Sequence, residues 1–211
     1  MKSKKCLWWA AAFMLAFGLW TGLVMFVDVQ SIGPESSRVG LATINRLVHN
    51  LTGVHMGLYT VTDWLGLVPI AFAIGFGLLG LVQWIGKGGL KNVDRSLFAL
   101  GGFYILVMAA FFFFEKFVVN YRPVLIQGFL EASYPSSTTL LVMCVMPTAI
   151  MQLRERIGNC VIKGIVTAVL AGFIAFMVMG RLLSGVHWFS DIVGGALLSA
   201  GLVMLYRFVS R

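Results

Sequence analysis

Apolar residues are concentrated in six long runs, which shorter polar segments separate. Each run is close to the roughly 20 residues that a helix needs to cross the hydrocarbon core of a bilayer. Glycine and proline inside the runs are tolerated in membrane helices. The pattern predicts an all-α fold, an integral membrane bundle of six transmembrane helices in a single domain over residues 1–211, with spans at residues 7–27, 65–86, 97–115, 136–153, 161–180 and 187–207.

Composition agrees with a membrane protein, because 59% of the residues are hydrophobic and only 11% are charged. A soluble domain is typically about a quarter charged. The first apolar run is longer than the hydrophobic region of a signal peptide, and no convincing small-x-small cleavage sequence follows it. We therefore expect it to be retained as the first membrane helix.

The net charge of +8 follows from topology and requires no nucleic-acid partner. With the N- and C-termini in the cytoplasm, eleven lysines and arginines lie inside and five outside, which obeys the positive-inside rule. We predict a plasma-membrane protein whose functional site is on the extracytoplasmic side. The five outer basic residues are Arg38, Arg46, Lys116, Arg122 and Arg181.

The outer segment 28–64 separates the first two runs. It begins as a loop with a turn at Gly33-Pro34. Apolar side chains then recur at roughly helical spacing, with Arg46, His49 and Asn50 between them. Such a segment could lie along the interface as an amphipathic element and cover a site. An ordinary structured loop is the alternative.

The segment between the fifth and sixth runs carries the chemistry. Arg181, His187 and Asp191 follow one another within eleven residues. Arginine presents a planar fork of donors that fits phosphate oxygens, and histidine serves as a nucleophile or proton carrier. If the segment is helical, His187 and Asp191 are four residues apart on one face, so that the carboxylate orients the imidazole.

Two further polar segments are predicted to reach the same outer surface. One brings Glu115, Lys116 and Arg122 to the outer end of the third helix. The other opens the fourth helix, with Pro135 at or near its first turn. A helix N-terminus binds anions through its free N–H groups. The residues we expect to contact phosphate are Lys116, Arg122, Ser136, Ser137, Thr138 and Arg181.

These three segments resemble the signature motifs of the type-2 phosphatidic acid phosphatase superfamily, the integral-membrane lipid phosphate phosphatases. Arg181, His187 and Asp191 match the third motif in full. The resemblance implies that His187 attacks phosphorus and forms a phosphohistidine, while Asp191 orients it. It implies a membrane lipid phosphate substrate, such as undecaprenyl diphosphate, phosphatidylglycerol phosphate or phosphatidate. It implies no metal and no cofactor.

Four positions depart from the family pattern. Glu115 occupies the usual lysine position, and Lys116 lies one residue closer to Arg122-Pro123 than is usual. Gly180 and Ser137 replace a serine and a glycine. Thr138 stands where the family has the histidine that protonates the leaving oxygen.

Threonine cannot act as that acid at ordinary pH, and general acid catalysis contributes typically about 10²–10⁴-fold. Substitutes on the outer side are Glu115, Tyr121, Tyr134, His49 and His55. A diphosphate substrate needs less protonation, because it expels a phosphate instead of an alkoxide. We therefore expect an active enzyme to favour lipid diphosphates.

Three classes of function fit these observations. The first is a lipid phosphate or diphosphate phosphatase, which the complete third motif favours. The second is a catalytically impaired relative that binds lipid phosphates as a receptor or scaffold, which Thr138 favours. The third is a carrier for anionic lipid, for which no mid-membrane ionisable residue or inverted repeat is evident.

Overall fold

The computed structural model describes residues 2–86 and 88–210 and is almost entirely helical. A two-stranded antiparallel hairpin is inserted after the first helix, with Gln30 opposite Val39. In chain order the elements are α1 (Lys2–Phe26), β1 (Gln30–Ser31), β2 (Arg38–Val39), α2 (Ala42–Thr52), α3 (Met56–Leu65), α4 (Leu67–Gly86), α5 (Arg95–Lys116), α6 (Ser137–Arg156), α7 (Cys160–Leu183) and α8 (Phe189–Val209).

The prediction of six membrane spans is confirmed. Within residues 2–86 and 88–210, six helical segments are long and apolar enough to cross a bilayer. They are Lys4–Phe26, Met56–Gly86, Arg95–Lys116, Ser137–Arg156, Cys160–Leu183 and Phe189–Val209. The cytoplasmic placement of both termini stays a prediction.

Two of the predicted helix starts that differ from the structure affect the site. The second span begins at Met56 instead of residue 65, because α3 runs into α4 across Gly66, which keeps helical backbone angles. The sixth helix begins at Phe189, not at residue 187. His187 therefore lies in the turn before α8, so the expectation that His187 and Asp191 share a helix face is wrong.

α6 and α8 form the centre of the bundle. α6 packs against α7 and α8, and α1 packs along α8. Leu140 of α6, Leu202 and Tyr206 of α8 and Phe103 of α5 belong to one buried apolar cluster. Phe103 and Tyr206 are in ring contact, with centroids 5.2 Å apart. Lipid-facing residues need no such partners, so the outer helices expose most of their apolar side chains.

The outer segment folds onto the beginning of α8. Asn45 of α2 is buried, and its side-chain carbonyl accepts the Ser190 N–H at 3.0 Å. The same side chain donates to Gly40 O at 2.8 Å and to Ser190 Oγ at 2.9 Å. The hydrogen bonds of one asparagine therefore attach the hairpin and α2 to the N-terminus of α8.

The turn from α7 to α8 passes against the loop between α2 and α3. His55 N–H donates to Ser184 O at 2.9 Å. Gly185 has a positive φ of 68°, and a Cβ there would lie 1.9 Å from Gly53 O. Only glycine combines this backbone conformation with so close an approach.

We expect Gly185→Ala to lower the free energy of unfolding by about 3 kcal/mol or more, because backbone strain and a collision with Gly53 add together. Gly172→Ala in α7 is the matched control, since a Cβ there meets no atom within 4 Å. Thermal unfolding of both variants in detergent measures the difference. Equal melting temperatures would show that the α7–α8 turn is not constrained in this way.

Candidate active site

His187 and Asp191 are joined by a third side chain, Ser133, which lies three residues before the N-cap of α6. The Ser133 hydroxyl donates to Asp191 Oδ2 in a short hydrogen bond. Its oxygen lies 3.2 Å from His187 Nδ1. The direct distance from His187 Nδ1 to Asp191 Oδ2 is 3.8 Å. The serine therefore bridges the imidazole and the carboxylate.

This bridge fixes the tautomer of His187. Because the Ser133 hydroxyl donates to Asp191, the Ser133 oxygen is left to accept a hydrogen bond from Nδ1–H. A neutral imidazole with its proton on Nδ1 keeps the lone pair on Nε2. Among the described residues, Nε2 has no hydrogen-bond partner although it is buried. The ring therefore presents a free nucleophilic nitrogen.

Asp191 is held by its own helix and by two segments from elsewhere in the chain. Oδ2 accepts the Trp188 N–H at 2.8 Å, which caps the N-terminus of α8. Oδ1 accepts from Asn120 Nδ2 at 3.4 Å. The Asp191 carbonyl accepts the Ser136 N–H at 3.0 Å. These contacts, and not a shared helix face, place the carboxylate near His187.

Two buried arginines flank the imidazole. Arg122 Nε lies 3.0 Å from Glu131 Oε2, and Arg122 Nη1 is buried without a hydrogen-bond partner among the residues described. Arg181 Nη1 lies 3.6 Å from Asp63 Oδ1, and Arg181 Nε is likewise unpartnered within the described chain. The unused donors on these two side chains are suited to an anion.

The environment keeps His187 uncharged. Burial, followed by the positive charges of Arg122 and Arg181, holds the pKa of His187 well below its ordinary value of 6.5. A hydrogen bond to the Ser133 backbone opposes this shift. A neutral imidazole is the form that can attack an electrophile, so the two arginines favour the nucleophilic state.

Arg181 rests on α3, which explains one departure from the family pattern. Its Nη1 donates to Thr62 Oγ1 at 3.4 Å, and its guanidinium carbon lies 5.0 Å from the centre of the Tyr59 ring. Gly180 packs on the same helix, and a Cβ there would lie 2.7 Å from Thr62 Cγ2. A serine at position 180 would collide with α3.

The residues at the N-terminus of α6 differ in exposure and in hydrogen bonding. Ser136 is fully buried, and its hydroxyl accepts the Thr139 N–H at 3.4 Å as the helix cap. Ser137 and Thr138 are partly exposed and line cavities. Pro135 directly precedes the N-cap and lies two positions before Ser137, the first residue of the helix. The capping contact of Ser136 leaves Ser137 and Thr138 as the accessible hydroxyls.

Lys116 is the predicted site residue that the structure does not bring together with the others. It ends α5 and is exposed, whereas the neighbouring Glu115 lines a cavity of about 50 Å³ with Arg122 and Ser133. The one-residue shift in the first motif thus directs the glutamate, not the lysine, to this cavity. A rotation of about 100° per helical residue accounts for the exchange.

A second, apolar cavity adjoins the first. Its volume is about 270 Å³. Ser137, Phe111 and Leu140 line both cavities. The remaining lining of the larger cavity comes from the junction of α3 and α4, from α5 and from α6, and consists of Asp63, Gly66, Leu67, Ile70, Val107, Met108, Thr138 and Leu141. The polar site therefore continues into an apolar space between helices.

Sequence reasoning missed Ser133, Asn120 and Asp63. Ser133 and Asn120 precede α6 in an irregular segment, where no periodicity indicates their direction. Asp63 carried a usable signal, because an ionisable residue inside an apolar helical segment is costly and marks function. The prediction starts the second span at residue 65, so it assigns Asp63 to the outer segment and not to a membrane helix.

Other ionisable and thiol groups contribute no additional site. In the part of the chain that the structure describes, no three His, Cys, Asp or Glu side chains form a group that could hold a metal ion. Cys6, Cys144 and Cys160 are free thiols. The atoms that converge are a nucleophilic nitrogen, two guanidinium groups and a helix N-terminus, which together suit phosphoryl chemistry.

Comparisons with known proteins identify a family and a similar fold. The profile of the PAP2 superfamily matches residues 96–211, which is more than half of the chain. The fold is similar to the crystal structure of a transmembrane PAP2 type phosphatidylglycerolphosphate phosphatase from Bacillus subtilis, with a TM-score of 0.62 and 15% identity over 95% of this chain and 94% of that one. A search of curated proteins finds no match.

The chain therefore belongs to the PAP2 superfamily, and the family resemblance of its three motifs is confirmed. It is a multi-pass membrane protein with the fold of a transmembrane PAP2 phosphatase.

We expect the ring of His187 to remain neutral well below pH 6.5, since its pKa is lowered. Histidine-labelled protein in detergent, titrated by NMR, measures this directly, and His187→Ala identifies the signal among the three histidines. Protonation at or above pH 6.5 would show that the two arginines do not act on the imidazole. Replacing Arg122 by Gln should raise the midpoint, because it removes one of the positive charges that lower the pKa of His187.

Proposed function

We propose that this protein is a phosphohydrolase that acts on a lipid phosphate or diphosphate at the outer face of the plasma membrane, through a phosphohistidine on His187. The observation that carries the proposal is the convergence of three buried polar atoms without partners among the described residues: His187 Nε2, Arg122 Nη1 and Arg181 Nε. Membership of the PAP2 superfamily supports a phosphatase.

The proposed reaction uses the chemistry of these three groups. His187 Nε2 attacks phosphorus, the N–P bond forms, and the bond from phosphorus to the leaving oxygen breaks. Arg122 and Arg181 hold the other phosphate oxygens and stabilise their charge. The positive charge that develops on the imidazole is stabilised by Asp191 through Ser133. Water then attacks phosphorus, the N–P bond breaks, and His187 and inorganic phosphate are released.

The remaining phosphate contacts are assigned to the N-terminus of α6. Ser137 and Thr138 offer hydroxyls and free N–H groups there, and Ser136 holds their helix turn by capping it. Lys116 stays in the proposal as a contact from the end of α5, where it is exposed. The excess of basic residues on the opposite side of the membrane supports an extracytoplasmic site.

The apolar cavity supports an amphiphilic substrate. A phosphate beside Ser137 has its ester oxygen at the entrance of a space of about 270 Å³ lined by leucine, isoleucine, methionine and phenylalanine. Lipid tails are as apolar as leucine, so the tail of a membrane lipid enters this space without leaving apolar surroundings. Undecaprenyl diphosphate, phosphatidylglycerol phosphate and phosphatidate all have this form. Diphosphates are favoured, because Thr138 supplies no acid.

Thr138 also favours a second candidate function, a lipid-phosphate receptor or scaffold without turnover. Such a protein needs the arginines but has no use for a neutral, free imidazole nitrogen. The tautomer that Ser133 imposes on His187 therefore favours the enzyme.

We expect the purified protein, without added metal, to release phosphate from dodecyl diphosphate, and faster than from dodecyl phosphate. His187→Ala should abolish release from both, because no other described group offers a nucleophile at this position. Phosphate release is the measurement. Retention of binding with no release from any lipid phosphate would contradict the enzyme and favour the receptor.

We expect Ser133→Ala to lower kcat by about 10- to 100-fold with little change in KM, since a hydrogen bond to a charged group contributes about 1.5–3 kcal/mol. Ser190→Ala is the matched control, because the Ser190 hydroxyl lies 3.5 Å from the other oxygen of Asp191. A purely structural effect would lower activity equally in both variants. If Ser133 sets the tautomer of His187, Ser133→Ala lowers kcat more than Ser190→Ala does.

A further inference from the structure

The proposed reaction leaves one proton unassigned. When a lipid monoester is cleaved, the leaving oxygen becomes an alkoxide, which departs slowly unless an acid protonates it. The ester oxygen connects the phosphate to the tail. The acid must therefore lie where the phosphate-binding groups meet the apolar cavity.

Asp63 occupies this junction. It lies near the end of α3, and its carboxylate is 3.6 Å from Arg181 Nη1. The same residue lines the apolar cavity beside Ser137 and Thr138. Its side chain is 59% exposed, so it is accessible from the cavity and is not fixed by packing. Among the described residues, no other carboxylate both lines this cavity and contacts an arginine of the site.

We propose that Asp63 is the general acid that protonates the leaving oxygen of lipid monoesters. This inference rests on the proposed function and identifies a catalytic residue in it that none of the sequence motifs contains.

The other titratable groups near the site fit less well. Glu115 and Glu131 line the small cavity of about 50 Å³ and not the apolar cavity proposed for the tail. The Tyr134 hydroxyl is hydrogen-bonded to Thr21 at 2.7 Å, and burial raises the pKa of this phenol above its ordinary value of 10. Neither cavity is lined by His49 or His55.

The arrangement of charge places Asp63 beside the proposed phosphate. Its carboxylate lies next to the Arg181 guanidinium, whose Nε has no partner among the described residues. A phosphate held by that Nε therefore lies close to Asp63. A proton carried by Asp63 is then next to the oxygen that needs it.

The step balances without a further reactant. The Asp63 proton passes to the leaving oxygen as the P–O bond breaks, and the lipid alcohol departs through the apolar cavity. Asp63 is then a carboxylate. It accepts a proton from the water that attacks the phosphohistidine, which restores the acid for the next cycle.

The test compares two substrates with the same tail. We expect Asp63→Asn to lower kcat/KM for dodecyl phosphate by about 10²–10⁴-fold, the usual contribution of a general acid. For dodecyl diphosphate the expected loss is less than about tenfold, because the departing phosphate monoester needs less protonation. The diphosphate reaction also reports that the variant is folded.

Glu131→Gln is the matched control. It removes the other carboxylate that pairs with a site arginine, and it should affect both substrates by the same factor. The role of Asp63 is supported if only Asp63→Asn increases the preference for the diphosphate by about 100-fold or more.

If Asp63→Asn lowers kcat/KM equally for both substrates, Asp63 is not the acid. The proposed function is unaffected as long as His187→Ala abolishes turnover. No loss for either substrate would overturn the role of Asp63 as well. If the wild-type protein shows no turnover that His187→Ala abolishes, the proposed function itself fails, and the role of Asp63 fails with it.

Discussion

The site depends on the hydrogen bonds that the buried carboxylate of Asp191 accepts. A carboxylate removed from water costs several kcal/mol unless hydrogen bonds replace its hydration. Here the replacement comes from Trp188 N–H, Ser133 and Asn120, and the Asp191 carbonyl holds Ser136. The side chain thus ties the start of α8 to the segment before α6. His187, the serine bridge and the N-terminus of α6 are positioned by one residue.

Electrostatic balance around His187 comes from segments that are distant in the chain. Arg122 and Arg181 are both buried and would repel one another, so each is placed beside a carboxylate, Glu131 and Asp63. The pairs reduce the cost of burial without using all the guanidinium donors. Unused donors beside a neutral imidazole form a pocket that is complementary to a phosphate. The two arginines also keep the imidazole neutral.

Much of the fold was predictable because membrane helices obey a length constraint. An apolar run of about 20 residues has few alternatives to a spanning helix, so the six spans followed from hydropathy. The errors occurred at helix ends, where hydropathy carries little information. The start of the second span at Met56 depends on α3 packing against α7, and the start of α8 at Phe189 depends on the Asp191 cap.

The sequence by itself determined the number of spans, which follows from hydropathy, and the family, which follows from the resemblance of its motifs. The tertiary structure decided which groups meet. It directed Glu115 instead of Lys116 to the small cavity, used Ser136 as a cap, and brought Ser133 and Asp63 to the site. The contacts of Ser133 with His187 and of Asp63 with Arg181 join residues more than fifty positions apart, and packing, not local pattern, sets their geometry.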